Sequence, residues 1–282
     1  MPNPTSRRTM LKLGALTLAA QAPGHLLAAT SNPENAPPTI TPMIGDRFPS
    51  QPLDLVREMV TVSHFNLNRV KELTTAHPAL VSAAWDWGFG DWETPLGAAS
   101  HMGNHSIAEF LIAQGAPTTL FSAAMFGHLD VVKSLVAAQP GIQRIHGPHS
   151  ISLQAHARMG GDAAYPVFDY LQSLGGADST APIPLTEVET ARITGTYTFS
   201  GAANAQIDVN ADMKMYTGKM YTFPPQLNWT RQGAMTRALF HLGDMAFYPA
   251  GAAAVRIRFT VAENKVAMAV TDGDIELSAV RV

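Results

Sequence analysis

Thr94-Pro95-Leu96-Gly97-Ala98-Ala99-Ser100-His101-Met102-Gly103-Asn104 is the stretch on which the fold turns. Thr94 is an N-cap residue, and Pro95 suits the first helical position, where its missing N–H costs nothing. The small pair Ala98 and Ala99 lets a short inner helix pack closely on a neighbour. Gly103 supplies a left-handed turn into the next helix. Ile107, Phe110 and Leu111 give that second helix an apolar stripe, and Gln114-Gly115-Ala116 closes the unit.

The same text recurs on both sides. Leu120-Phe121-Ser122-Ala123-Ala124-Met125-Phe126-Gly127-His128 is followed by Val131, Val132 and Leu135, an expected buried face. A further copy runs Leu153-Gln154-Ala155-His156-Ala157-Arg158-Met159-Gly160, with Val167 and Leu171, and closes on Gly175-Gly176-Ala177. An earlier one gives Leu67 to Leu73. The glycines at 103, 127 and 160 are each expected at a positive φ. No single pair buries its own apolar face, so stacking makes the core. The pattern resembles an ankyrin array, which implies about four helix pairs over 52–181 and protein partners. It departs from that family in three places. Gly103 to Gly127 is a short step, so one finger is trimmed; Phe65 stands where a turn glycine is expected; His156 stands where Ala99 and Ala123 do.

After Asp178-Ser-Thr-Ala-Pro182-Ile-Pro184 the periodicity changes to short alternating runs rich in Val, Ile, Tyr, Phe and Thr. Nine runs are expected as strands: 193–199, 206–209, 213–217, 226–230, 239–242, 245–248, 255–261, 265–270 and 276–282. They predict a small antiparallel barrel or half-barrel over 184–282. The segment is similar to the lipocalin-like accessory domain that follows some serine β-lactamase-like hydrolases. The fold class is therefore a helical array followed by a β domain. Tyr197, Tyr216, Tyr221, Phe223, Trp229, Phe240, Phe247, Tyr248 and Phe259 are expected to fill the barrel.

Ser6-Arg7-Arg8-Thr9-Met10-Leu11-Lys12, then an apolar run from Leu13 to Ala20, resembles a twin-arginine export signal ending near Ala28-Ala29. Residues 1–29 are read as that signal and the Pro-rich 30–51 as a linker. A bacterial-type periplasmic location follows, without stable membrane insertion once the signal is cleaved. The apolar run is shorter than the about 20 residues a spanning helix needs. With 19 basic and 22 acidic residues, the chain lacks the basic excess of a nucleic-acid binder. It has no cysteine, hence no disulfide, no thiolate metal site and no cysteine nucleophile.

No catalytic motif stands in the sequence, and no catalytic residue, metal ligand or cofactor is assigned. Two constellations remain. Trp85-Asp86-Trp87-Gly88-Phe89-Gly90-Asp91-Trp92-Glu93 holds three of the four tryptophans. It reads either as a cap folded over the array or as a projecting patch that anchors a partner. The histidines at 101, 105, 128, 146, 149 and 156 read chiefly as structural hydrogen-bonders, ahead of a metal site. His156 is expected to be buried and neutral, bonded within 144–151, with room from Phe121 and the Gly147-Pro148 turn. The leading expectation is a non-enzymatic periplasmic protein that presents its concave face and the Trp85, Trp87 and Trp92 finger to a protein partner. The alternative is a small-molecule binder or hydrolase with a pocket between array and β domain, lined by Asp91, Glu93, His101, His149 and His156.

Overall fold

A computed structural model describes residues 48–178, 183–199, 206–210, 227–231, 234–263 and 265–282. The export signal, most of the linker, the strand expected at 213–217, and Tyr216, Tyr221 and Phe223 lie outside the described residues.

Four helix pairs come first. They are α1 (Leu53–Val62) with α2 (Leu67–Ala76), α3 (Pro95–His101) with α4 (His105–Ala113), α5 (Leu120–Met125) with α6 (Leu129–Ala138), and α7 (Leu153–Met159) with α8 (Tyr165–Leu174). Between the first two pairs lies a hairpin of β1 (Trp85–Asp86) and β2 (Trp92–Glu93). The cap expected at Thr94 is present, and a second is found at Thr119. Thr94 accepts from the Gly97 N–H with Pro95 in the first turn, and Thr119 and Ser122 form a reciprocal capping box. Ala98, Ala99 and Ala124 are fully buried at the inner contacts. Leu96, Ile107 and Leu111 join Met59, Val70 and Leu80 in one core; Leu153, Val167 and Leu171 join Val132 in a second. Each such side chain contributes roughly 1.5–3 kcal/mol on burial.

The trimmed finger shapes the stack. Only residues 114–119 join α4 to α5, against 77–94 before α3 and 139–152 before α7. With no hairpin projecting from the third pair, α3, α5 and α7 all touch one another. The second and fourth fingers consequently meet directly.

Two local expectations are corrected. Gly103 and Gly127 do sit at φ +64° and +74°, but Gly160 is at −71°, and the left-handed residue of that turn is Gly161. What Gly160 supplies is space against the Met125 carbonyl. On α6 only Val132 is buried, while Val131 and Leu135 are exposed. These two lie four apart on one stripe, and the stripe through Val132 is the one turned to the core.

A short helix, α9 (Glu187–Ile193), precedes the barrel, capped by Thr186 and Glu189 in a capping box. It takes the start of the run expected as the first strand. The barrel then runs β3 (Gly195–Phe199), β4 (Gln206–Asn210), β5 (Leu227–Arg231), β6 (Arg237–Gly243), β7 (Ala246–Pro249), β8 (Arg256–Ala262), β9 (Lys265–Asp272) and β10 (Ile275–Arg281). Each strand pairs antiparallel with the next, and β10 closes on β3. The helical array followed by an antiparallel barrel is therefore as expected, and the barrel is closed rather than half open. Tyr197, Trp229, Phe247 and Phe259 fill its interior with Ile257 and Met268. The Tyr197 hydroxyl donates to the Ile193 carbonyl at 2.7 Å, so α9 plugs one side of the core. Phe240 and Tyr248 stack on each other as a cross-strand pair. Among the described residues no helix is long and apolar enough to cross a membrane.

Candidate functional site

The hairpin sorts its residues by the two-residue period of a strand. Asp91 and Glu93 point inward and are almost fully buried, whereas Trp92 between them is 61% exposed. Three consecutive positive φ values, at Gly88, Phe89 and Gly90, turn the chain, and Asp86 accepts from the Gly88 N–H. The tip docks on the barrel. Phe89 stacks on Trp229 of the barrel, and Arg237 of β6 donates to the Gly88 carbonyl at 3.0 Å. Arg237 also donates to Asp91 Oδ2 at 3.0 Å and to the Ala250 carbonyl. Gly251 lets the Asp91 carboxylate lie against its backbone; a Cβ there would overlap it. The Gly251 N–H donates to Ser150 Oγ.

Glu93 is the centre of the arrangement. Its Oε1 accepts from His101 Nε2 at 2.9 Å, at the last residue of α3. Its Oε2 accepts from the Trp87 indole N–H at 2.8 Å and faces His149 Nε2 at 3.4 Å and His64 Nε2 at 3.5 Å. His149 comes from the fourth finger, at φ 60°, with Ser150 after it also at φ 60°. Asp91 holds it there, accepting both its backbone N–H (2.9 Å) and its Nδ1–H (2.8 Å). His64 lies just past α1 and gives its Nδ1–H to the carbonyls of Val60 and Thr61. His64 and His149 both pack edge-on against His101.

The charges follow from these contacts. Burial opposes ionisation of Glu93, but the hydrogen bonds from His101 and His149 outweigh it and hold the carboxyl well below the usual range. Asp91 is held low in the same way, against burial, by His149 and Arg237. Burial works against a charged His149, yet its bonds to Asp91 and Glu93 push it up to about 9. Burial dominates at His64 and keeps it below the ordinary histidine value.

The structure thus brings Asp91, Glu93, His101 and His149 together, with His156 beside them, as the pocket alternative required. The ligand atoms of His64, Glu93, His101 and His149 all lie within 4.8 Å of one another, a cluster that could hold one ion. The tryptophans divide. Trp87 serves Glu93, Trp85 is half-buried beside the Arg57 guanidinium, and Trp92 is left on the surface. His105 donates to the Gly160 carbonyl and His128 stacks on Phe126. His146 reaches Ser152 only through a backbone bridge.

His156 is fully buried, and burial pushes it down to about 4, so it is neutral at pH 7. Its Nδ1–H donates to the Ser152 carbonyl at 2.8 Å. That acceptor lies one residue beyond the expected 144–151 segment, because the i−4 carbonyl of its own helix is directly in reach. The room does come from Phe121 and Gly147, both against the ring. His156→Ala is expected to cost about 1–3 kcal/mol through the cavity and the lost bond. The melting temperature should fall by a few degrees; an unchanged value would show that the site collapses without cost.

Two of the participants escaped the sequence reading. His64 was the nearer miss, one residue before the anomalous Phe65. Nothing local marks Arg237, 146 residues from its partner Asp91.

An ankyrin-repeat family model matches residues 91–120, which span β2, α3 and α4. No curated protein matches the chain. An ankyrin repeat suggests protein–protein interaction.

Proposed function

We propose that the protein is a non-catalytic binding protein exported from the cytoplasm, which recognises a protein partner through the outer edge of the 85–93 hairpin. The observation that carries this reading is Trp92. A large aromatic side chain stands 61% exposed on a hairpin that is otherwise pinned from below by Asp91, Glu93 and Arg237. A tryptophan on a pinned hairpin costs less ordering of the backbone on binding, and tryptophan is enriched among residues that dominate interface energies. The ankyrin repeat at 91–120 supports the same direction. The export part rests on the Arg7-Arg8 signal pattern alone.

Crosslinked capture from an extracytoplasmic fraction tests the reading, with wild type and Trp92→Ala as baits. A specific species should be recovered by the wild type and at least about tenfold less by the variant, at unchanged melting temperature. Equal recovery, or none, overturns it. For location, residues 1–52 fused to a reporter active only outside the cytoplasm should export it. Replacing both arginines with lysine should abolish the signal.

A further inference from the structure

We propose that His64, Glu93, His101 and His149 form a binding site for one divalent transition-metal ion with the coordination preferences of zinc. Three imidazole nitrogens and one carboxylate converge from four separate segments: the end of α1, β2, the end of α3 and the fourth finger. The set is not a local motif: its members lie between residues 64 and 149, and His64 stands outside the histidines that the sequence groups together.

The spacing suits an ion. Zinc bonds of about 2.0–2.1 Å at tetrahedral angles put neighbouring ligand atoms about 3.3–3.4 Å apart. Glu93 Oε2 stands 3.4 and 3.5 Å from the Nε2 atoms of His149 and His64, and Oε1 is hydrogen-bonded to His101 Nε2 at 2.9 Å, a bond the ion would replace.

The surrounding shell is that of a metal site. A ligating histidine almost always gives its other ring N–H to a carboxylate or a backbone carbonyl, which fixes the ring and its tautomer. His149 gives its Nδ1–H to Asp91, and His64 gives its own to Val60 and Thr61. The Trp87 N–H orients the Glu93 carboxylate. With Nδ1–H committed to the backbone, His64 points its Nε2 at Glu93 Oε2, 3.5 Å away. The left-handed backbone at His149 and Ser150 is a further cost that a ligand position accounts for.

Four protein ligands complete a tetrahedral shell, so the site is closed and of the structural kind. Bound metal would tie three of the four helix pairs to the hairpin, and through Asp91 and Arg237 to the barrel. This is independent of Trp92 and of any partner, so either proposal can fail alone.

The test uses the full chain stripped with a chelator, and zinc itself as the probe. Calorimetric titration should give one saturable equivalent. The melting temperature should rise by about 5–10 °C at a hundredfold excess over Kd. His101→Ala and His149→Ala should each weaken zinc by about 100-fold or more, the upper end of what removing even an outer-shell partner costs. His77→Ala should change nothing. If either histidine variant fails to fold, the cobalt-loaded wild type decides: an intense visible spectrum, as tetrahedral cobalt gives, supports the site. No saturable zinc binding by the wild type, equal binding by both folded variants, or a weak octahedral cobalt spectrum overturns it.

Discussion

Arg237→Met is expected to destabilise the protein by about 3 kcal/mol, the lower end of the range for breaking a buried ion pair. Arg237 is only 4% exposed, and its guanidinium is shared among the Asp91 carboxylate and the carbonyls of Gly88 and Ala250. Methionine fills much the same volume but returns no hydrogen bond. The carboxylate and two carbonyls then lose a donor in a place water does not easily reach. His149 still holds Asp91 from the other side, which places the expected cost at the low end. The loss should also be directional. Arg237 and the Phe89–Trp229 stack join the hairpin to the barrel, beside the Gly251–Ser150 bond, so unfolding by urea should become less cooperative, with helical signal and barrel signal separating. Arg237→Lys should recover only part of the loss, because a single ammonium cannot span acceptors that a planar fork reaches together. An unchanged denaturation midpoint in Arg237→Met would mean that the finger holds its place without the barrel.

The helical array and the barrel were both legible because they rest on local rules repeated many times. Thr94-Pro95 and the Ala98-Ala99 pair announce an inner helix wherever they stand, and alternating runs announce strands. The capping box Thr186-x-x-Glu189 marks α9, but the helix lies just before the run expected as the first strand and shares only Ile193 with it. Val131 and Leu135 illustrate another limit: helical spacing identifies stripes, and only the neighbours decide which stripe is buried. Asp91, Glu93, His101 and His149 were legible as a possible polar lining, and the hairpin found in the structure turns Asp91 and Glu93 to the same side. The rest depended on what the missing third finger allows. Removing it lets the fourth finger reach the second and bring His149 onto Asp91, 58 residues away. The short step was visible in the sequence, but its consequence is a matter of tertiary packing. Arg237 is further still, supplied by a strand of the other fold.

Gly160 and Gly161 are expected to respond to the same substitution for opposite reasons, with the larger loss at the less suspicious residue. Gly161 has φ +69° and open space around its Cα. An alanine there meets only the intrinsic cost of the left-handed region, about 1 kcal/mol. Gly160 has an ordinary helical φ of −71°, which alanine adopts freely. A Cβ at Gly160, however, would overlap the Met125 carbonyl oxygen and stand 2.6 Å from the Ala164 Cβ and 2.8 Å from the Met125 carbonyl carbon. The first obstacle is backbone rather than the end of a flexible side chain, so relief requires α5 and α7 to separate. Those are the helices whose close contact follows from the trimmed finger, and α7 carries His156 at its centre. Gly160→Ala should therefore cost about 3 kcal/mol, the upper part of the overpacking range, against about 1 for Gly161→Ala. Urea denaturation of the two variants side by side measures the difference. The opposite order would mean that the turn's backbone conformation, and not the closeness of the helices, is what these two glycines preserve.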